Sequence, residues 1–216
     1  MTASLIPLHA QAPLPWRNGG GHTRELLRRP AAGASPQDDG WALRISVADV
    51  ERDGDFSAFP GVQRWFAMLE GAGVLLALPA GRVRQTRSDP PLAFDGAAAP
   101  GCRLIDGPTR NLNVMVQRGS GVLRTVVPGV EWCEPFEARG LFALAAGTWR
   151  AAGGEAVPVA PFTLLWHEGG APCRYDPIAD DGGGGDAGPC GFWIGHSLHG
   201  APGGPDVCRH TRKETA

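Results

Sequence analysis

The sequence predicts an all-β protein, and three observations carry that expectation. Short runs alternate apolar and polar residues with a period of two, turn residues punctuate them at short intervals, and no stretch sustains the 3.6-residue period of an amphipathic helix. The 32 glycines and 20 prolines together stop just short of the roughly 25–30% that marks a disordered chain. Punctuation at that density favours a meander of short antiparallel strands over a helical bundle.

The clearest element is the run Trp41-Ala42-Leu43-Arg44-Ile45-Ser46-Val47. In an extended chain Trp41, Leu43, Ile45 and Val47 share one face, and Arg44 and Ser46 the other. Residues 52–61 are rich in turn formers, including Asp53-Gly54 and Pro60-Gly61. Two apolar runs, 63–69 and 74–78, flank Gly71-Ala72-Gly73; the glycines supply the positive φ of a tight reversal, so a hairpin is expected here. Runs 102–105, 111–117 and 122–127 complete the first half. After Pro128-Gly129 the pattern restarts with 141–145, 148–151, 156–159, 162–166 and 191–198. The expected halves are therefore 1–128 and 129–216. Residues 31–39 and 179–189, the latter with Gly182 to Gly185, read as surface loops, and residues 208–216 as a fraying tail.

Composition excludes several classes. A formal charge of −2 and a pI near 6.3 provide no positive field for nucleic acid or anionic lipid. The N-terminal residues lack a basic start with a sustained apolar run, and nothing approaches the ~18 apolar residues of a membrane span. A cytoplasmic protein is the expectation. Five cysteines without a CxxC pair argue against a disulfide framework or zinc ribbon and are read as reduced thiols.

Two constellations carry chemistry. In Trp16-Arg17-Asn18-Gly19-Gly20-Gly21-His22-Thr23-Arg24-Glu25, three glycines between hydrogen-bonding side chains let a backbone approach something closely; an ordinary turn is the alternative. The run lacks the GxxxxGK[ST] pattern of a phosphate loop. The second constellation occupies alternate strand positions: Arg44 and Ser46; Arg64 with Phe66 and Met68; Asn111, Asn113, Met115 and Gln117. A solvent-facing sheet side would explain the polar members, but it gains nothing from Phe66, Met68 and Met115. An amphiphilic cavity, in which an arginine fork pairs a carboxylate, would explain both sets. The pattern leaves the two open.

His167, His196, His199, His210, Cys190 and Cys208 lack the spacing of a metal face on either helix or strand. No Gly-x-Ser-x-Gly elbow is present, and Asp38-Asp39 and Asp180-Asp181 fall in expected loops.

Taken in order, these motifs resemble the HutD/Ves family, associated with bacterial histidine utilisation. The resemblance runs through Trp16 to Gly21 with Thr23 and Glu25, Leu43-Arg44-Ile45-Ser46 with Ala48, and Asp53-Gly54-Asp55-Phe56-Ser57-Ala58-Phe59-Pro60-Gly61. It continues through Arg64, Leu69-Glu70-Gly71-Ala72-Gly73, Pro91, Phe94-Asp95-Gly96, and Asn113-Val114-Met115 with Arg118. It covers about residues 14 to 118; the remainder matches only in hairpin character. The resemblance implies an RmlC-like double cupin, with an N-terminal cupin-like half and a C-terminal β half completing the bicupin. It implies no metal and no cofactor, for Gln63-Arg64-Trp65-Phe66 stands where a metal-dependent cupin carries His-x-His. One departure concerns Asn111-Leu112, where the family commonly has aspartate and phenylalanine.

The expected function is binding of a small anionic metabolite, with formylglutamate and urocanate as candidates and a regulatory role in histidine utilisation. Arg64 is expected to pair the anion, Asn113 and Ser46 to orient it, and Met115 and Phe66 to form the apolar wall. Arg44 joins the polar side, and Asn18 and Thr23 close the mouth. Two rivals stand beside this reading: a metal-independent isomerase, epimerase or hydrolase acting on a small acid, and a purely structural or protein-interaction role. A homodimer is compatible with all three.

Overall fold

Strands dominate the computed structural model, which describes residues 3–31, 40–178 and 188–199. The order begins β1 (Ser4–Pro7), β2 (Leu14–Pro15), β3 (Gly21–Pro30), β4 (Trp41–Val50), β5 (Gly54–Asp55) and β6 (Gln63–Glu70). It continues β7 (Val74–Leu78), β8 (Gly81–Gln85), β9 (Leu92–Asp95), β10 (Gly101–Leu104), β11 (Thr109–Val116) and β12 (Ser120–Thr125). The rest are β13 (Ala138–Ala143), β14 (Gly147–Ala151), β15 (Ala156–Val159), β16 (Thr163–Glu168), β17 (Cys173–Pro177) and β18 (Gly191–Ser197). Helix among the described residues is confined to two three-residue 3₁₀ turns. None of it is long and apolar enough to cross a membrane.

Four antiparallel sheets result. A six-stranded sheet, β2-β3-β4-β11-β6-β9, is accompanied by a four-stranded one, β5-β10-β7-β8. A five-stranded sheet, β1-β16-β13-β18-β12, is accompanied by β15-β14-β17. The period-two pattern explains the layering. Leu43, Ile45, Val47, Leu112 and Val114 point from the six-stranded sheet into a shared core with Phe142, Leu164, Phe192 and Ile194 of the five-stranded sheet. Each such buried side chain contributes about 1.5–3 kcal/mol of transfer free energy. The other face of the six-stranded sheet carries Phe66 and Met68 against Val74, Leu76 and Cys102 of the small sheet, joined by Phe56 and Phe94. Behind the five-stranded sheet, Leu141, Leu165 and Trp193 pack with Trp132, Trp149, Cys173 and Tyr175, with Trp132 and Trp193 stacked at 5.4 Å.

Three expectations are corrected. The glycines at 71–73 do not close a hairpin: β6 pairs with β11 and β9, while β7 pairs with β10 and β8. Gly71 and Gly73 instead carry the chain from one sheet to the other. A Cβ at Gly71 would stand 2.7 Å from the Pro108 carbonyl oxygen, and one at Gly73 2.5 Å from that of Gln85. Trp41 leaves the face of Leu43, because the register shifts between Arg29 and Pro30, and packs with Val62, Met115 and Phe59. Cys102, Cys173 and Cys190 are free, but Cys133 is disulfide-bonded, so the reading of reduced thiols does not extend to it. The expected loops around 32–39 and 182–185, and the tail with Cys208 and His210, lie outside the described residues.

Candidate functional site

Strand register assembles the site in rows. β11 lies between β4 and β6, so Met115 faces Arg44 on one side and Arg64 on the other. In the next row Asn113 lies between Ser46 and Phe66, and in the third Asn111 lies between Ala48 and Met68. β3 extends the rows with Glu25 opposite Ser46 and Thr23 opposite Ala48. Alternation places all of these side chains on the face toward the small sheet. Ser46, Arg64, Asn111, Asn113 and Met115 are all buried, so this polar face is not a solvent face.

Between the rows and the segment 55–59 lies a cavity of about 500 Å³, within the ~300–1,000 Å³ usual for small-molecule sites. Its lining includes seven of the expected residues: Asn18, Thr23, Arg44, Ser46, Arg64, Asn113 and Met115. Phe66 is the exception. It lies in the core behind the wall, 5.8 Å from the ring of Phe56.

Arg64 is the singular group. It is 7% exposed, and burial, assisted by the neighbouring Arg44 charge, draws its pKa from 12.5 down to about 10. Its Nε and Nη2 both donate to Asn113 Oδ1, at 3.0 and 2.5 Å. The rings of Phe56 and Phe94 lie 4.6 and 5.4 Å from its guanidinium carbon. Among the described residues no carboxylate pairs with it and nothing accepts from Nη1. Arg44 differs, since its Nε donates to Glu25 Oε2 at 2.6 Å. Of the three arginines that line the cavity, Arg17 is exposed, Arg44 is compensated by Glu25, and buried Arg64 has no carboxylate partner among the described residues.

A second buried arginine sharpens the contrast. Arg139, 2% exposed, donates Nη1 to the Ala171 carbonyl and Nη2 to the Glu134 carbonyl, and lies over Trp132. Both Nη groups of Arg139 are occupied by the protein, although its Nε has no partner; of Arg64's two, Nη2 is occupied and Nη1 is not.

The glycine-rich motif forms the turn between Asn18 and Thr23, which both line the cavity. Gly19, at φ +65, and Gly21 bracket the reversal between β2 and β3, with Asn18 Oδ1 accepting from the Gly20 amide at 3.0 Å. A Cβ at Gly21 would stand 2.0 Å from the Asp49 carbonyl oxygen, so what the backbone approaches is the neighbouring strand. Thr23 accepts from Trp16 Nε1 at 2.8 Å. Turn and cavity wall are thus the same segment.

Sequence reasoning about site residues passes over Phe56, Phe59 and Asp55, which line the cavity opposite the rows. The Phe-x-x-Phe spacing in an otherwise polar, turn-rich stretch is the available signal. The histidines expected to form no metal face are dispersed: His196 is buried against Arg29 and the Arg118 carbonyl, His199 is exposed beside Glu137, and His167 lies against Trp149. Among the described residues no group of three or more His, Cys, Asp or Glu side chains is placed to hold a metal ion.

Comparison with known proteins gives a consistent result. A family model described as HutD matches residues 9–177. The chain is similar to protein Ves of Citrobacter koseri, 30% identical over 155 residues, covering 71% of this chain and 78% of that protein. It is 36% identical over 102 residues, 47% of its length, to an uncharacterised 21.2 kDa protein in the hutC 3′ region of Pseudomonas putida, of which the match spans only 52%. Among solved structures, HutD from Pseudomonas fluorescens SBW25 (formate condition) superposes with a TM-score of 0.75 at 24% identity, covering 92% of this chain and all of that one. A single-substitution variant of oxalate decarboxylase from Bacillus subtilis gives 0.54 at 12% identity, over 90% and 77% of the chains. These likenesses support a cupin-like all-β fold.

Proposed function

The chain belongs to the HutD family, and from that membership and the cavity together we propose that it binds a small anionic metabolite and regulates histidine utilisation. Formylglutamate and urocanate are the guests proposed. We also read the four sheets as two cupin-like halves, 1–128 and 129–216, in which β1 and β12 reach across to complete the second half's large sheet. The twice-repeated pairing of a large with a small sheet supports that reading.

One observation carries the functional proposal: a buried guanidinium faces the cavity, and no carboxylate of the described residues forms an ion pair with it, although Asp55 lines the same cavity. A buried unpaired charge is costly, whereas a carboxylate guest received on the Nη1 edge would form charge-assisted bonds there. Met115, Phe56 and Phe59 offer apolar contact to the rest of such a guest. The regulatory part rests on the family and on the hut-region relative.

Calorimetry of formylglutamate and urocanate against the wild type and Arg64→Ala tests the assignment. A charge-assisted hydrogen bond contributes about 1.5–3 kcal/mol, so the variant should bind roughly tenfold to a hundredfold more weakly. Equal affinities would overturn it. Guest recovered chemically altered after incubation would move the protein to the enzymes.

A further inference from the structure

Resting on that carboxylate reading, and favouring formylglutamate over urocanate, which has no oxygen beyond its one carboxylate, we infer that the guest carries a second oxygen acceptor, received by Asn111, so that the cavity selects two-ended acids over monoacids. A guanidinium donates and never accepts. Asn113 must therefore turn its carbonyl oxygen to Arg64 Nε and Nη2. Its Nδ2 is then committed elsewhere, and it donates to Asn111 Oδ1 at 2.6 Å. The same logic fixes Asn111, whose oxygen faces Asn113 and whose Nδ2 is left over.

The cation at one end dictates every member of the chain. The leftover Asn111 Nδ2 has no hydrogen-bond partner, although Asn111 is 0% exposed and lines the cavity. A buried donor without an acceptor is an exception in folded proteins. Of the four such atoms among the described residues, this is the one whose residue lines the cavity, beside an uncompensated cation, and an oxygen on the guest would complete it. Asn111 and Asn113 are two residues apart on β11, about 7 Å along the strand. The second acceptor therefore belongs on a short spacer from the carboxylate bound by Arg64. A dicarboxylate or an N-acylated amino acid meets that description; a simple aliphatic monoacid does not. Asn113 is on this account a positioning residue and Asn111 a specificity residue.

The test compares glutarate, whose carboxylates end a three-methylene chain, with butyrate, which keeps one carboxylate and a similar chain. Affinities are measured by calorimetry on the wild type, Asn111→Asp, Asn111→Ala and Arg64→Met. Asn111→Asp keeps the acceptor for Asn113 Nδ2 and replaces the free donor with an oxygen; Asn111→Ala removes both. The wild type should favour glutarate by roughly tenfold. Both Asn111 variants should lose that preference, and Arg64→Met should weaken both acids. Equal binding of the two acids by the wild type, or a preference that survives both Asn111 variants, overturns the role of Asn111. If Arg64→Met still weakens both acids in that case, the carboxylate reading stands alone. Failure of the wild type to bind either acid removes both claims.

Discussion

Replacing Arg64 with methionine asks whether this cation is kept for a guest or for the fold. A pKa drawn from 12.5 down to about 10 corresponds to about 3 kcal/mol against the charged form. Because a cation's folded value lies below its unfolded one, that penalty is present at every pH below 10 and is relieved only above it. Against it stand the two bonds to Asn113 Oδ1, whose loss leaves a buried acceptor unpaired at about 1–3 kcal/mol. The contacts with Phe56 and Phe94 add about 0.5–2 kcal/mol. The opposing magnitudes largely cancel, so Arg64→Met should change the stability of the ligand-free protein by no more than about 2 kcal/mol in either direction. Breaking a buried ion pair, by contrast, costs about 3–5 kcal/mol. Urea denaturation at pH 7 without ligand measures the difference as a shift in midpoint at unchanged m. In parallel, millimolar formylglutamate should raise the melting temperature of the wild type by more than that of the variant. A stability loss of about 3 kcal/mol or more at unchanged m would refute the reasoning, because the guanidinium would then be a structural group already compensated by the protein.

Two further outcomes follow from the fold around the site. Gly21→Ala places a Cβ onto the Asp49 carbonyl at φ +156, so it should cost about 3 kcal/mol or more of stability in urea denaturation; a loss below about 1 kcal/mol would show that the turn is loosely packed against Asp49. His196 accepts at Nδ1 from Arg29 Nη1 (2.9 Å) and donates from Nε2 to the Arg118 carbonyl (3.1 Å), a pairing that only the neutral ring satisfies. Burial is the main cause holding its pKa below the usual 6.5, and His167 is lowered in the same direction. As pH falls below 6.5 the unfolded chain takes up the proton first, so stability should decline from pH 7.5 to pH 5. His196→Gln, which can accept from Arg29 and donate to Arg118, should reduce that decline; identical declines in the two proteins would count against the tautomer assignment.

What could be read from the sequence was local, and what escaped depends on contacts distant in the chain. The alternation of Leu43, Ile45 and Val47 with Arg44 and Ser46 is a property of one strand, and the structure keeps it. The strand β3 escapes notice because His22, Arg24, Glu25, Arg28 and Arg29 disguise it as a polar segment. Its charges are matched across strands and sheets instead, Arg24 to Asp49, Glu25 to Arg44 and Arg29 to Glu168, and a register shift after Glu25 breaks its period. Gly71 and Gly73 carry the same local signal whether the chain turns back into its own sheet or crosses to another; only the approach of Pro108 and Gln85 decides. Arg64, Asn111 and Asn113 would show the same alternation on a wet sheet face or on a covered one. Cover is supplied by Phe56, Phe94 and the small sheet, from segments up to some tens of residues away. Sequence could therefore name the polar members of the site but could not say whether they were wet. That distinction determines the chemistry, since an exposed guanidinium is already neutralised by solvent and counter-ions, while a buried one without a partner leaves its Nη1 donor for a guest.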